Sequence, residues 1–220
     1  MQGMWCLSCN ALTDSLLCPV CKKKLASLSF AQLYEHRCPT CGTPVLDPIY
    51  GCGFCQDALL SYGVYDGVLE HLITGYKHAG HIQGAWQLAE LFIPLVARFG
   101  SPILIPIPSS RSGRRSLGYD HMALVTWILC KKMHLRSIRL LAQQPKGHYT
   151  LLSRTQRQQT SNLVLREKNV RRMESLVQSQ DNTFLILDDI YTTGNTCRRA
   201  RELIQSAWDV PVGFCILARA

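Results

Sequence analysis

The hydrophobic rhythm of the chain changes near residue 57. Before that point apolar residues are short, scattered and interrupted by cysteine pairs; after it, apolar blocks alternate with stretches of helical spacing. Leu59 to Tyr65 reads as a strand, closed by the turn pair Asp66-Gly67. Leu69, Leu72, Ile73 and Tyr76 then recur at helical intervals, and a second helix is predicted with Ile82, Trp86, Ala89, Ile93 and Val96 inward. Pro102 to Pro108 is an apolar strand entering a proline-bounded loop. Ser109 to Gly118 reads as a basic loop, and 119–132 as a helix. A short strand is expected around Ser137 to Leu141, whereas 143–182 shows no clear period. Phe184 to Leu187 is an unbroken apolar run, the pattern of a strand covered on both faces. A helix with Cys197, Ala200, Leu203, Ile204 and Ala207 inward follows, and Val212 to Leu217 forms the last strand. This alternation specifies an α/β domain with a parallel sheet flanked by helices over 57–220, preceded by a small cysteine-rich module over 1–56.

Composition narrows the class. With 47% hydrophobic and 18% charged residues, the chain of 220 residues can bury a core, which excludes wholesale disorder. No apolar run approaches the roughly 18–20 residues that cross a bilayer. The start, Met1-Gln2-Gly3-Met4-Trp5-Cys6, lacks the basic and apolar stretches of a signal peptide, so a cytoplasmic location is expected. The net charge of +9 is local: residues 111–172 hold fourteen Lys and Arg against Asp120 and Glu167. Such a face suits an anionic partner.

Eight of the eleven cysteines lie in the first 55 residues, always as C-x-x-C: Cys6/Cys9, Cys18/Cys21, Cys38/Cys41 and Cys52/Cys55. Two thiolates three apart on a tight turn aim at one point, and two such turns build a tetrahedral cage that suits Zn2+. An iron–sulfur cluster or redox-active pairs are the other chemistries this spacing serves. Sequential grouping gives two small ribbons in a row; interleaved grouping gives a ring-like cross-brace; a single occupied cage is a third arrangement. A module this small draws its folding energy from the metal.

The segment Phe184 to Thr196 carries the most chemistry. An apolar strand ends at Asp188 and Asp189, a loop with Thr192, Thr193 and Gly194 follows, and a helix begins near Asn195 and Thr196. Loop amides, hydroxyls and the positive helix end make an anion cradle beyond the strand's carboxyl end. The carboxylates would repel a phosphate, and instead suit vicinal sugar hydroxyls and help hold Mg2+. A 5-phosphorylated ribose satisfies both halves. Asp188, Asp189, Ile190 and Thr192 to Thr196 form the expected phosphoribose site.

That string resembles the phosphoribosyl-pyrophosphate (PRPP) fingerprint of type I phosphoribosyltransferases. Together with the four C-x-x-C pairs, Tyr76-Lys77-His78-Ala79-Gly80-His81, Pro106-Ile107-Pro108, the Arg-rich segment ending in Gly118-Tyr119, and Gln158, Arg166, Asn169 and Val170, it is similar to the ComF family of competence-associated proteins. The chain departs from the family pattern at His78 and His81, at Asp120-His121 and at Ser161. The resemblance implies a double zinc ribbon ahead of a phosphoribosyltransferase-like sheet. It implies that Lys77, Ser109, Ser110 and Arg111 meet pyrophosphate, with Arg114 and Arg115 on a flap.

It also implies a ComF-type competence role: PRPP or a related phosphoribose bound with Mg2+, and single-stranded DNA handled during natural transformation alongside other DNA-uptake or recombination proteins. The expected nucleic-acid contacts are Arg111, Arg114, Arg115, Lys131, Lys132, Arg154 and Arg157, with Tyr119, Trp127, His148 and Tyr149 as stacking surface. The alternative is an active phosphoribosyltransferase, with Asp188, Asp189 and Arg111 as its catalytic residues and an acceptor the sequence leaves open.

Overall fold

Successive residues of a strand point to opposite faces, so a strand that is apolar at every position must be covered on both sides. In the computed structural model, which describes residues 3–38, 44–45, 59–144, 163–178 and 182–220, this holds for the inner strands of the central sheet. Its strands are β3 (Leu59–Val64), β4 (Ile103–Pro106), β5 (Arg136–Ser137), β8 (Phe184–Tyr191) and β9 (Val212–Arg219). They are ordered β3-β9-β8-β4-β5 and every pairing is parallel. On one face Leu104, Leu185, Leu187, Cys215 and Leu217 join a core with helices α3 (Gly67–His78), α4 (Gly84–Val96) and α6 (His121–Met133). On the other face Ile103, Ile105, Phe184, Ile186, Phe214 and Ile216 pack with helices α7 (Glu167–Val177) and α8 (Asn195–Ala207). The expected α/β architecture, a parallel sheet between helices preceded by a cysteine cluster, is the one observed.

Helix starts are set by local caps. Asp66 Oδ1 accepts from the Gly67 amide at 2.7 Å and opens α3. Asp120 Oδ1 accepts from the Ala123 amide at 3.2 Å and opens α6. Each carboxylate satisfies an amide that the helix itself cannot reach.

The amino-terminal module consists of the antiparallel pair β1 (Met4–Trp5) and β2 (Leu12–Thr13), then α1 (Pro19–Ser27) and the short α2 (Phe30–Leu33). It is docked against the edge strand β3. The Val64 amide donates to Leu28 O at 3.1 Å, and Tyr62 Oη donates to Leu25 O at 3.2 Å. Gly63 makes the approach feasible, because a Cβ there would lie 2.1 Å from Leu28 O. Cys6, Leu17, Cys18, Cys21 and Leu25 share one core with Leu69, Leu72 and Ile73 of α3. The expected boundary at 56/57 falls outside the described residues.

Several expectations are corrected. Helix α4 buries Gly84, Ala85, Leu88, Ala89, Phe92 and Val96, while Ile82 and Trp86 are exposed. Small residues let this helix approach α3 closely: a Cβ on Gly84 would lie 3.2 Å from Tyr76 Cβ. The supposed basic loop after Ser109 is instead helix α5 (Arg111–Leu117), opened by Ser110 Oγ accepting from the Gly113 amide and closed by Gly118 at φ +78°. The strand expected at Ser137 to Leu141 is divided between β5 and β6 (Leu141–Gln143), and β6 pairs with β7 (Leu163–Leu165) outside the main sheet. Ala207 is exposed rather than inward, and β8 continues past the acidic pair to Tyr191. Among the described residues, no helix is long and apolar enough to cross a membrane.

Candidate functional sites

The Sγ atoms of Cys6, Cys9, Cys18 and Cys21 all lie within 4.8 Å of one another. Cys9 and Cys18 are 3.7 Å apart, close to the ~3.8 Å edge of a tetrahedron whose centre is about 2.3 Å from each sulfur. The Cys18 amide points at Cys6 Sγ and the Cys21 amide at Cys18 Sγ, each at 3.4 Å. These amides favour thiolates, as a metal site requires. Local sequence explains the turn: Cys18 caps α1, and Pro19 occupies its first turn, where no amide donor is needed. The donor set fits Zn2+. The sequential grouping therefore holds for the first two pairs. Of the second expected set, Cys38 is buried, and Cys41, Cys52 and Cys55 fall outside the described residues.

The second site sits at the carboxyl edge of the sheet, where α/β folds place ligands. A cavity of about 420 Å3 there is lined by Asp188, Asp189 and Ile190 of β8, Thr192 of the following turn, Thr196 at the start of α8, and groups that follow β4 or end α3. Hydrogen bonding between β4 and β8 continues through the Ile107 amide to Leu187 O at 2.9 Å, which delivers Ser109 beside the acidic pair. Lys77, in the last turn of α3, contacts both oxygens of Asp189 at 2.9 and 2.8 Å. His121 Nε2 lies 2.9 Å from Asp189 Oδ2.

The network runs on behind His121. Its Nδ1 is hydrogen-bonded to Ser109 Oγ, at 2.5 Å, and its amide donates to the same oxygen at 3.0 Å. Ser109 Oγ also donates to Asp120 Oδ1 at 3.0 Å, and Arg114 lies 3.6 Å from Asp120. Tyr76 Oη donates to His121 O at 2.8 Å, holding the start of α6 against α3. One hydroxyl proton on Ser109 thus faces both a ring nitrogen and a carboxylate, a short path along which a proton can be redistributed.

The adjacent carboxylates are driven apart. Burial, reinforced by the charge of Asp189, pushes Asp188 up to about 8. Burial acts on Asp189 in the same direction, but His121 and Lys77 outweigh it and hold its carboxyl below the usual range. One neutral acid and one paired carboxylate make a poor cage for a divalent cation by themselves. They suit sugar hydroxyls, with Asp188 able to donate as well as accept.

The turn after β8 is built as expected. Gly194 sits at φ +74°, and a Cβ there would fall 2.3 Å from Tyr191 Oη, so both backbone and packing demand glycine. Thr193 is exposed, and Asn195 Oδ1 accepts from Arg198 at 3.4 Å.

The expected pyrophosphate residues separate. Lys77, Ser109 and Ser110 line the cavity, whereas Arg111 is exposed on α5 and is not part of the lining. Arg115 and Lys131 are also exposed. Lys132 is paired with Glu90, and Arg154, Arg157, His148 and Tyr149 lie outside the described residues. Tyr119 is no stacking surface, for its ring lies against Tyr76 at 5.9 Å and its Oη is buried; Trp127 is 52% exposed. His121 and Asp120 were not among the expected site residues, although the sequence signalled them by departing from the family pattern there. A cysteine cluster ahead of a parallel five-stranded sheet is compatible with a zinc ribbon joined to a phosphoribosyltransferase-like fold. Comparison with protein-family models and with curated proteins gave no match for this chain.

Proposed function

We propose that the chain is a ComF-type protein. In this reading it binds PRPP, or a related 5-phosphorylated ribose carrying Mg2+ on its diphosphate, and handles single-stranded DNA in the cytoplasm. One observation carries the ligand assignment: the acidic pair of β8 and the hydroxyls of Thr192 and Thr196 line a single cavity with Lys77 and Ser109. Asp188 and Asp189 hold the ribose hydroxyls. Thr192, Thr196 and the turn amides hold the 5-phosphate at the positive end of α8, and Lys77 offers charge to the diphosphate. The proton path from Asp189 through His121 to Ser109 favours a second reading, transfer of the phosphoribosyl group to an acceptor with loss of pyrophosphate.

Thermal denaturation with PRPP and Mg2+ tests the first reading. At about 100 times Kd, ligand adds roughly 2.7 kcal/mol, a shift of several degrees for a chain of this size. Asp188→Asn/Asp189→Asn should abolish the shift, and an unchanged shift removes the site. Pyrophosphate release in the presence of an acceptor identifies a transferase; stabilisation without release identifies a binder.

A further inference from the structure

A second cavity, of about 390 Å3, lies on the other side of α6 and shares no lining residue with the first. It is bounded by the ends of β4 and β5, by one face of α6, and by the first turns of α7. Its cationic walls are Arg139, Arg166, Lys168 and Arg172, and no carboxylate lines it. Among the described residues none of these four cations forms an ion pair with an acid. Arg172 donates to Ser137 O at 3.4 Å and Arg166 to Leu141 O at 3.5 Å. The Arg166 Nε is buried without a partner. Asn169 Nδ2 donates to Arg139 O at 2.8 Å and ties the start of α7 to the sheet edge. Trp127 forms part of the wall and is 52% exposed, although most of the apolar residues around it on α6 are buried.

Four cations brought together at one mouth repel one another, and among the described residues no acid offsets them. An anion there relieves the repulsion and supplies the missing acceptor for Arg166. Arginine forks suit phosphate oxygens, and an indole face beside them suits a flat heterocycle. The volume lies in the roughly 300–1,000 Å3 range of small-ligand sites. We infer that this cleft binds a nucleotide unit, with its base stacked on Trp127 and its phosphate held by Arg139, Arg166, Lys168 and Arg172.

The inference rests on this cleft alone and stands whether or not the first cavity takes a phosphoribose. The nucleotide is supplied either free or as part of a single strand, and the test separates these sources. Binding of ADP is measured by calorimetry, and binding of fluorescein-labelled octathymidylate by anisotropy, with inorganic pyrophosphate as the base-free control. At least one nucleotide probe should bind. Trp127→Ala should weaken it about tenfold or more, and Trp127→Phe should recover most of that loss. Lys168→Ala/Arg172→Ala should weaken it too and, for the oligonucleotide, flatten the salt dependence by about 0.7 per lost contact. Asp188→Asn/Asp189→Asn, in the other cavity, should leave it unchanged.

ADP without the oligonucleotide assigns a free nucleotide, and the oligonucleotide without ADP assigns a strand. The inference is overturned if neither probe binds. It is overturned equally if Trp127→Ala with an unaltered circular dichroism spectrum binds as the parent does, or if pyrophosphate binds as tightly as ADP.

Discussion

The cysteine cluster and the acidic cavity are both held by charge, yet they are assembled in opposite ways. The four sulfurs come from sixteen consecutive residues, Cys6 to Cys21, and two tight turns bring them together. The cavity instead joins Lys77 to Asp189 across 112 positions and His121 to Asp189 across 68. In the cluster a metal ion held by the four sulfurs would supply the cohesion. In the cavity the protein supplies both signs of charge itself, so its integrity depends on the sheet and α3 and α6 being in place first. A local site can fail without the fold, whereas the cavity cannot easily be separated from it.

Removing the metal should give the largest effect and expose this contrast. Cys18→Ser, or a strong chelator, should release the zinc held by Cys6, Cys9, Cys18 and Cys21 as measured by elemental analysis. Structural zinc contributes on the order of 10 kcal/mol to the folding of such modules. Amide exchange should then speed by several orders of magnitude over α1 and at Val64, whose amide bonds Leu28 O, while β8 and β9 stay protected. Equal loss of protection in the central strands would mean that module and sheet form one cooperative unit.

The same contrast decides what the sequence revealed. Ligand type and spacing are local properties, so the ligands of the first cage were legible, while its grouping stayed one of several the spacing allowed until the fold brought Cys6, Cys9, Cys18 and Cys21 together. Strands were legible because apolar blocks such as Phe184 to Leu187 have few alternatives. The facing of α4 was misread because large residues were assumed to point inward. Small residues are buried instead: Gly84 lies close against Tyr76 of α3, Ala85 and Ala89 are fully covered, and Trp86 is left outside. Helix α5 has no apolar period, and only its caps, Ser110 and Gly118, marked it. The acidic pair was found, but its partners were not fully assigned, because nothing local links His121 to a strand 68 residues away.

A smaller effect is expected from Lys77→Met, which keeps the chain length and removes the charge. Losing one partner of a fully buried pair costs about 3–5 kcal/mol. Lys77 is 22% exposed and His121 still contacts Asp189, so about 2 kcal/mol is expected at pH 7 by urea denaturation. The penalty should shrink as the pH falls from about 4 toward the depressed folded value of about 2, where Asp189 takes up a proton in the parent. A cost below about 0.5 kcal/mol, the value of an ordinary surface pair, would show that the cavity does not depend on its own cation.

The acidic pair offers the most delicate test, because its members bias stability in opposite directions with pH. The depressed Asp189 contributes stability above the unfolded value of about 3.9 that is lost as the pH falls through its lower folded value. The raised Asp188 keeps its proton in the folded state up to about 8. Between roughly pH 4 and 8 the folded chain therefore binds this proton more strongly than the unfolded chain, and stability declines as the pH rises. Asp188→Asn removes that decline. The variant should gain on the parent steadily as the pH rises from 5 to 8, by on the order of 1 kcal/mol for each pH unit. A difference that stays constant from pH 5 to 8 in urea titrations would mean that Asp188 ionises normally. The cavity would then present two full negative charges, an arrangement that suits a metal ion better than a sugar.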